Sequence, residues 1–313
     1  MGINQLSAIG YQVLKMSRRL AAVVLLGALA LFAADNVSHP FRGIIHIERT
    51  EKEPRPMKIH VVTVDLRTPG LRIKVTPHGG SMETVRQATV DFLRQEQAQI
   101  AINAHYFLPF PSSSVEAMLV GFAASDGYVY SAFEKPEQSY AILSYSPALN
   151  IDAANFATIV HRDPAFPDGT HIREKVTVWN AVAGSAQIVT AGVKTIPTYD
   201  GALTPGGPGH YTGAKSWYDQ ITARTAIGLT QDGRRLVLFT VDGKGGSLGM
   251  KVGEVADVLI KDFEVYDALN LDGGGSTSMA MQMADGSAKL VNVSMDGTTG
   301  RKVGSNLAVF VGK

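Results

Sequence analysis

The sequence predicts an α+β protein with a mixed or antiparallel β-sheet core and a few flanking helices. Three observations predict that class. Apolar residues recur at every second position in many short runs, the period of half-buried strands. Asp-Gly, Pro-Gly and Gly-Gly pairs punctuate those runs, and 32 glycines in 313 residues supply many turns. Apolar residues recur at helical spacing over residues 81–97 and 251–263. Runs of strands with helices set apart from them suit an α+β layout.

The N-terminal part, residues 1–34, reads as a secretory signal. Arg18 and Arg19 precede an apolar run from Leu20 to Phe32, which is short for a membrane span. Ala28-Leu-Ala30 supplies a small-x-small cleavage site, and translation starts at Met1 or Met16. The expectation is an exported protein, periplasmic or secreted, with no stable membrane span after cleavage. An uncleaved anchor is the alternative. The chain has no cysteine, so thiol catalysis, disulfides and thiolate metal sites are excluded. A net charge of +1 gives no case for a nucleic-acid partner.

Residues 35–98 are expected to pack as N-terminal strands and a helix against the main domain, residues 99–313. A strand over 59–66 turns at Thr68-Pro-Gly70 into a second strand over 71–76, a hairpin by pattern. Ser81 caps a helix running to residue 97, because Met82, Val85, Ala88, Phe92 and Leu93 share one face. A buried strand over 99–103 follows. Further strands are read at 128–133, 140–145 and 175–182, with loops at 163–169 and 201–213. A hairpin joins 222–230 to 235–241 around Asp232-Gly233. Val252, Val255, Ala256, Leu259 and Phe263 mark the second helix. A strand to Asp272, a hairpin over 280–293 turning at Asp285-Gly286, and a strand over 306–311 complete the chain.

Three apolar strands end in polar groups: Asn103, Asp242 and Asp272. Such endings place functional groups on one rim of a sheet. After Asp272 come Gly273, Gly274 and Gly275, then Ser276, Thr277 and Ser278. Consecutive glycines let a backbone approach a ligand and aim N–H groups at an anion. Arg224 sits among apolar neighbours and needs an anionic partner. Blander roles stay open. Asp242 and Asp272 suit turn caps, Asn103 a turn, and Arg224 a structural ion pair.

Taken together, Asn103-Ala-His-Tyr-Phe107, Arg224-Thr-Ala-Ile-Gly228, Asp242-Gly243, Asn270-Leu-Asp-Gly-Gly-Gly-Ser-Thr277 and Asn306 resemble the phosphodiester glycosidase family, in order and rough spacing. The resemblance covers residues 99–313. It departs at His105, where relatives often carry glycine or a small residue. The resemblance implies a hydrolase that cleaves a sugar from a glycosyl phosphodiester at the glycosidic C–O bond. It implies Asp272 and Asp242 as the catalytic pair. Arg224 and the N–H groups of Gly273, Gly274 and Gly275 would hold the phosphate. Asn103, His105, Gly243, Ser276, Thr277 and Asn306 would contact the carbohydrate substrate. Asp242 and Asp272 near a phosphate are also a ligand pair for Ca²⁺ or Mg²⁺. Two alternatives compete with this reading. One is a non-catalytic glycan-binding or exopolysaccharide-associated envelope protein. The other is a metal-dependent phosphodiesterase cutting the P–O bond.

Overall fold

Both faces of the central strands are apolar, so each sheet must be covered twice. In the strand Met57–Asp65, Ile59 and Val61 face one way and Val62 and Val64 the other. Ile59 and Val61 pack with Val237 and Phe239 against Val255 and Leu259 of the helix Val252–Phe263. Val62 and Val64 join Leu236, Leu238, Ile227 and Leu269 on the opposite face. That face meets Ile100, Ile102, Leu307 and Val309 of a second sheet. The second sheet's outer side, through Ala101, Ala280 and Ala308, lies on the helix Thr89–Glu96. The layers therefore run helix, sheet, sheet, helix.

The computed structural model describes residues 34–133, 146–196 and 218–312. Among these, the first sheet has eight strands and the second has five. Arg224–Leu229 lies between Arg235–Val241 and Asp267–Asn270 in the first sheet. In the second, Ile100–Asn103 lies between Met279–Gln282 and Asn306–Phe310. These pairings are all antiparallel. The described residues are mostly β, and the two helices each cover the outside of one sheet.

The hairpin at Asp232-Gly233 forms, with Leu229 opposite Leu236. So does the one at Asp285-Gly286, with Gln282 opposite Ala288. The helix read over 251–263 spans Val252–Phe263. Its Glu254 carboxylate accepts the Lys251 N–H at 2.7 Å and closes the first turn.

Three expectations are corrected. The strands around Thr68-Pro-Gly70 do not pair with each other. Met57–Asp65 pairs with Ile44–Glu51 in the first sheet, whereas Arg72–Val75 pairs with Asn306–Phe310 in the second. The turn is real, with Leu71 N–H on the Thr68 carbonyl at 3.1 Å, but it carries the chain between layers. The helix read over 81–97 is confined to Thr89–Glu96. Ser81 does not cap it. The Ser81 and Met82 N–H groups go to the Glu116 carboxylate, and Thr84 and Gln87 are drawn into strand pairs with Ala117 and Val303. Tertiary pairing overrides the local period there. The strand read over 175–182 shortens to Asn180–Ala183. The signal region over 1–33, the strand over 140–145 and the loop over 201–213 lie outside the described residues.

Candidate active site

The segment from Leu271 to Ser278 is stitched between the ends of strands from both sheets. From the first sheet, the Thr225 carbonyl accepts Leu271 N–H at 2.9 Å, and the Ala223 carbonyl just before it accepts Gly274 N–H at 2.8 Å. From the second, the Ala104 carbonyl accepts Asp272 N–H at 3.0 Å. Asn103 completes the frame. Its amide donates to the Asp272 carbonyl at 2.7 Å, and its Oδ1 accepts Ser278 N–H at 3.0 Å and Thr225 Oγ1 at 2.9 Å. Thr225 also reaches Thr277 Oγ1 at 3.3 Å. Asn103 is fully buried, so these bonds replace water completely. The Asp272 backbone is thus fixed on both sides before any ligand arrives.

The glycines after it answer three separate demands. A Cβ on Gly273 would meet the Ala223 carbonyl at 3.0 Å. Gly274 adopts φ +58, a left-handed backbone that glycine adopts without penalty. A Cβ on Gly275 would land on the guanidinium of Arg301. The loop's N–H groups are largely spent inside the fold. Gly274 N–H goes to Ala223, while Ser276 and Thr277 N–H close a short 3₁₀ turn on Gly273 and Gly274.

Asp272 lines a cleft of about 130 Å³ together with Tyr106, Phe107, Leu108, Phe110, Val120 and Arg301. Burial pushes its carboxyl up to about 7. The Ser276 hydroxyl, the Arg301 charge and the Gly273 N–H pull the other way without cancelling that. Arg301 is held from three sides. Its Nε and Nη2 each lie 2.6 Å from Asp296 Oδ2, its Nη1 donates to Ser276 Oγ at 3.2 Å, and its guanidinium stacks 4.6 Å from the Phe110 ring centre. These contacts occupy three of the five guanidinium N–H donors and leave two for an anion. Tyr106 accepts the Asn270 amide at 3.3 Å, and burial followed by the Asp272 charge raises its phenol well above the usual range. It stays a neutral hydroxyl.

The other residues singled out in the sequence are placed as follows. Ser276 and Thr277 are buried beneath the cleft, where they support Arg301 and Thr225. Asp242 is fully buried and does not line the cleft. Its Oδ1 accepts Val293 N–H at 3.0 Å, and burial pushes its carboxyl up to about 6. His60 Nε2 is 3.9 Å from its Oδ2, and His60 stacks on His46 at 5.7 Å. Asp242 Oδ2, His60 Nδ1, His46 Nε2 and Thr240 Oγ1 have no hydrogen-bond partner among the described residues. Gly243 packs on the Ala223 backbone, with no room for a Cβ. Arg224 is buried and donates to the Met250 carbonyl at 3.0 Å and to the Gln220 carbonyl. His105 is sealed in the core. Its Nε2 lies 3.0 Å from the Ala183 N–H nitrogen and 3.1 Å from the Phe122 carbonyl, and its Nδ1 lies 2.7 Å from Ser305 Oγ. Burial lowers it to about 4, so it is neutral. Asn306 holds Thr89 Oγ1 at 2.7 Å, at the start of the first helix. The structure therefore gathers Asn103, Asp272, Gly273, Gly274, Gly275, Ser276 and Thr277, sets Arg224 behind Gly273 and within electrostatic reach of Tyr106, and does not bring Asp242, His105 or Asn306 to the cleft.

Sequence reasoning missed Arg301, Asp296 and Phe110, and gave Tyr106 no role. Arg301 lies in a Gly- and Thr-rich stretch with no period, and its contact with Gly275 exists only in the fold. The tie between Asp296 and Arg301, five residues apart, is the one local signal that was available.

No group of three or more His, Asp or Glu residues gathers as a metal site among the described residues, and Asp242 and Asp272 do not share the cleft. A larger hollow of about 820 Å³ runs beside Ile44–Glu51 and the end of the second helix. Some of its charges pair with one another, Arg67 with Asp65 and Arg235 with Glu264. None of the sequence-predicted site residues reaches it.

A carboxyl near neutrality beside a guanidinium with spare donors is an arrangement capable of acid–base chemistry next to an anion. A phosphodiester glycosidase family model matches residues 96–310, and the chain belongs to that family. Over 61 residues it is 46% identical to human N-acetylglucosamine-1-phosphodiester alpha-N-acetylglucosaminidase and 44% identical to the bovine enzyme. That segment is 20% of this chain and only 12% of the human protein. The fold is similar to a hypothetical protein from Synechocystis, with a TM-score of 0.64 at 16% identity over 90% of this chain and 65% of that one. It is also similar to the zebrafish N-acetylglucosamine-1-phosphodiester alpha-N-acetylglucosaminidase catalytic domain auto-inhibited by its pro-peptide. There the TM-score is 0.54 at 18% identity, over 90% of this chain and 85% of that one.

Proposed function

We propose that this chain hydrolyses glycosyl phosphodiesters at the glycosidic C–O bond, with Asp272 as general base and Arg301 on the phosphate. The observation that carries the reading is the Asp272 carboxyl, held at about 7 in a cleft shared with Arg301. A base with a pKa near the working pH takes a proton from water efficiently. Water activated by Asp272 attacks the anomeric carbon, and the C–O bond breaks toward the phosphate. The leaving group departs as a phosphate monoester, whose growing charge the two spare Arg301 donors stabilise. Such a leaving group needs little protonation, so one carboxyl in the cleft suffices. Tyr106 and Phe110 supply ring faces beside the acid for the sugar. The name shared by the human, bovine and zebrafish relatives makes N-acetylglucosamine the first sugar to try. The charged and then apolar stretch before residue 34 supports export from the cytoplasm as part of the same reading.

The test is hydrolysis of an N-acetylglucosamine 1-phosphodiester in ¹⁸O-water. Label on the sugar supports C–O cleavage, and label on phosphate overturns it in favour of a phosphodiesterase. Asp272→Asn lowers kcat by about 10³-fold, and the wild-type rate climbs as pH passes about 7, where Asp272 loses its proton. A rate insensitive to that substitution removes Asp272 from the chemistry.

A further inference from the structure

The cleft at Asp272 is small. Its roughly 130 Å³ falls below the about 300–1,000 Å³ that small-ligand sites occupy. It does not end there. Phe107, Phe110 and Arg301 also line an adjoining groove of about 380 Å³, which continues past Arg301 to Lys302 and the hydroxyls of Ser112, Ser113 and Ser114. Joined, the two hollows reach the usual size.

The groove is positively charged. Arg86, Arg301 and Lys302 line it, against the single carboxylate of Asp296. That carboxylate is already committed to Arg301. Arg86 is nearly buried and spends its donors on the carbonyls of Pro109, Ser112 and Glu116, so its charge faces no acid among the described residues. Lys302 is exposed and has no ion-pair partner among the described residues. Cations gathered in a concave, hydroxyl-lined space attract anions more strongly than cations scattered over a convex surface. Arg301 stands at the boundary of the two hollows. If it meets the scissile phosphate, whatever is esterified to the far side of that phosphate must run into the basic groove.

We infer that the preferred substrate carries a second anionic group on the leaving-group side, one unit beyond the scissile phosphodiester, and that Lys302 meets it. The class of substrate is a glycosyl phosphate whose aglycone is itself phosphorylated or otherwise acidic. Part of this inference rests on the proposed C–O cleavage at Asp272, and part does not, because the groove can be tested by binding alone.

The experiment compares two N-acetylglucosamine 1-phosphodiesters on the full chain, one ester being methyl and the other glycerol 3-phosphate. The expected result is a KM about fivefold lower for the phosphate-bearing ester, the effect of roughly one partly exposed charge pair. Lys302→Gln raises KM for that ester about fivefold more than for the methyl ester, and added salt shrinks the difference. Equal KM values for the two esters overturn the inference, as does a preference that survives Lys302→Gln. If neither ester is cleaved, the glycosidase reading fails and binding of inorganic pyrophosphate, followed by calorimetry, still decides the groove. Binding that weakens about fivefold in Lys302→Gln upholds it, and absent or unaltered binding overturns it.

Discussion

Gly273, Gly274 and Gly275 are consecutive, yet each is glycine for a different physical reason. Gly273 lies against a carbonyl, Gly274 needs a left-handed backbone, and Gly275 leaves space for the Arg301 guanidinium. Gly275→Ala is therefore the most informative of the three substitutions. It adds one methyl group where Arg301 and Asp296 now sit, and the side chains must swing away. The expected outcome is a loss of about 10²-fold in kcat/KM, the size of an ångström-scale misplacement, with a circular dichroism spectrum like wild type. Unchanged kinetics would detach Arg301 from the reaction. The sequence showed that this triplet mattered, because three residues without side chains make poor core. It could not show that the third glycine serves a guanidinium from residue 301, since nothing in a local pattern reports a contact between distant segments.

At the level of strands and loops, Asn103 is the joint between the two sheets. It ends one strand and pins the backbone of a loop that leaves another. Asn103→Ala leaves the Ser278 N–H and the Asp272 carbonyl buried without partners. It should cost about 2–6 kcal/mol in chemical denaturation, at the usual 1–3 per orphaned group. A loss under about 0.5 kcal/mol would show that water replaces the amide. Elements whose partners are adjacent in sequence were legible: the hairpins at Asp232-Gly233 and Asp285-Gly286, and the helix Val252–Phe263. Where distant pairing competes with local period, the reading failed. Residues 81–88 carry helical spacing, yet Glu116 and the strands near Ala117 and Val303 draw them away. Thr68-Pro-Gly70 likewise reads as a hairpin because no local signal says that its two strands belong to different layers.

Across the whole molecule, buried titratable groups oppose one another. Asp242 and Asp272 titrate at about 6 and about 7, above the ordinary 3.8. The folded state thus binds protons that the unfolded state has already released, and these two groups weaken stability as pH rises through that window. His60 and His105 titrate at about 4, below the ordinary 6.5, and burial lowers His46 as well. There the unfolded state binds more protons, so these groups strengthen stability as pH rises to about 6.5. The opposing slopes predict a nearly flat Tm between about pH 4.5 and 6. The double variant Asp242→Asn, Asp272→Asn removes one side. Its Tm should climb through that range and exceed wild type at pH 8, as followed by calorimetry. A flat profile in the double variant would mean that the histidines are not buried neutral. The sheet-dominated class was visible in alternating apolar residues, whereas the two-sheet layering was not, because a strand apolar on both faces does not name its neighbours.

Arg301 reaches its place from a late segment tied down by Asp296 and Phe110, while Asp272 is anchored by Asn103, Ala104 and Thr225. The two groups to which the proposed reaction gives the phosphate and the water thus come from different pieces of polypeptide. A change in that late stretch is therefore felt twice, by whatever occupies the groove and, through the Arg301 charge, by the acid itself.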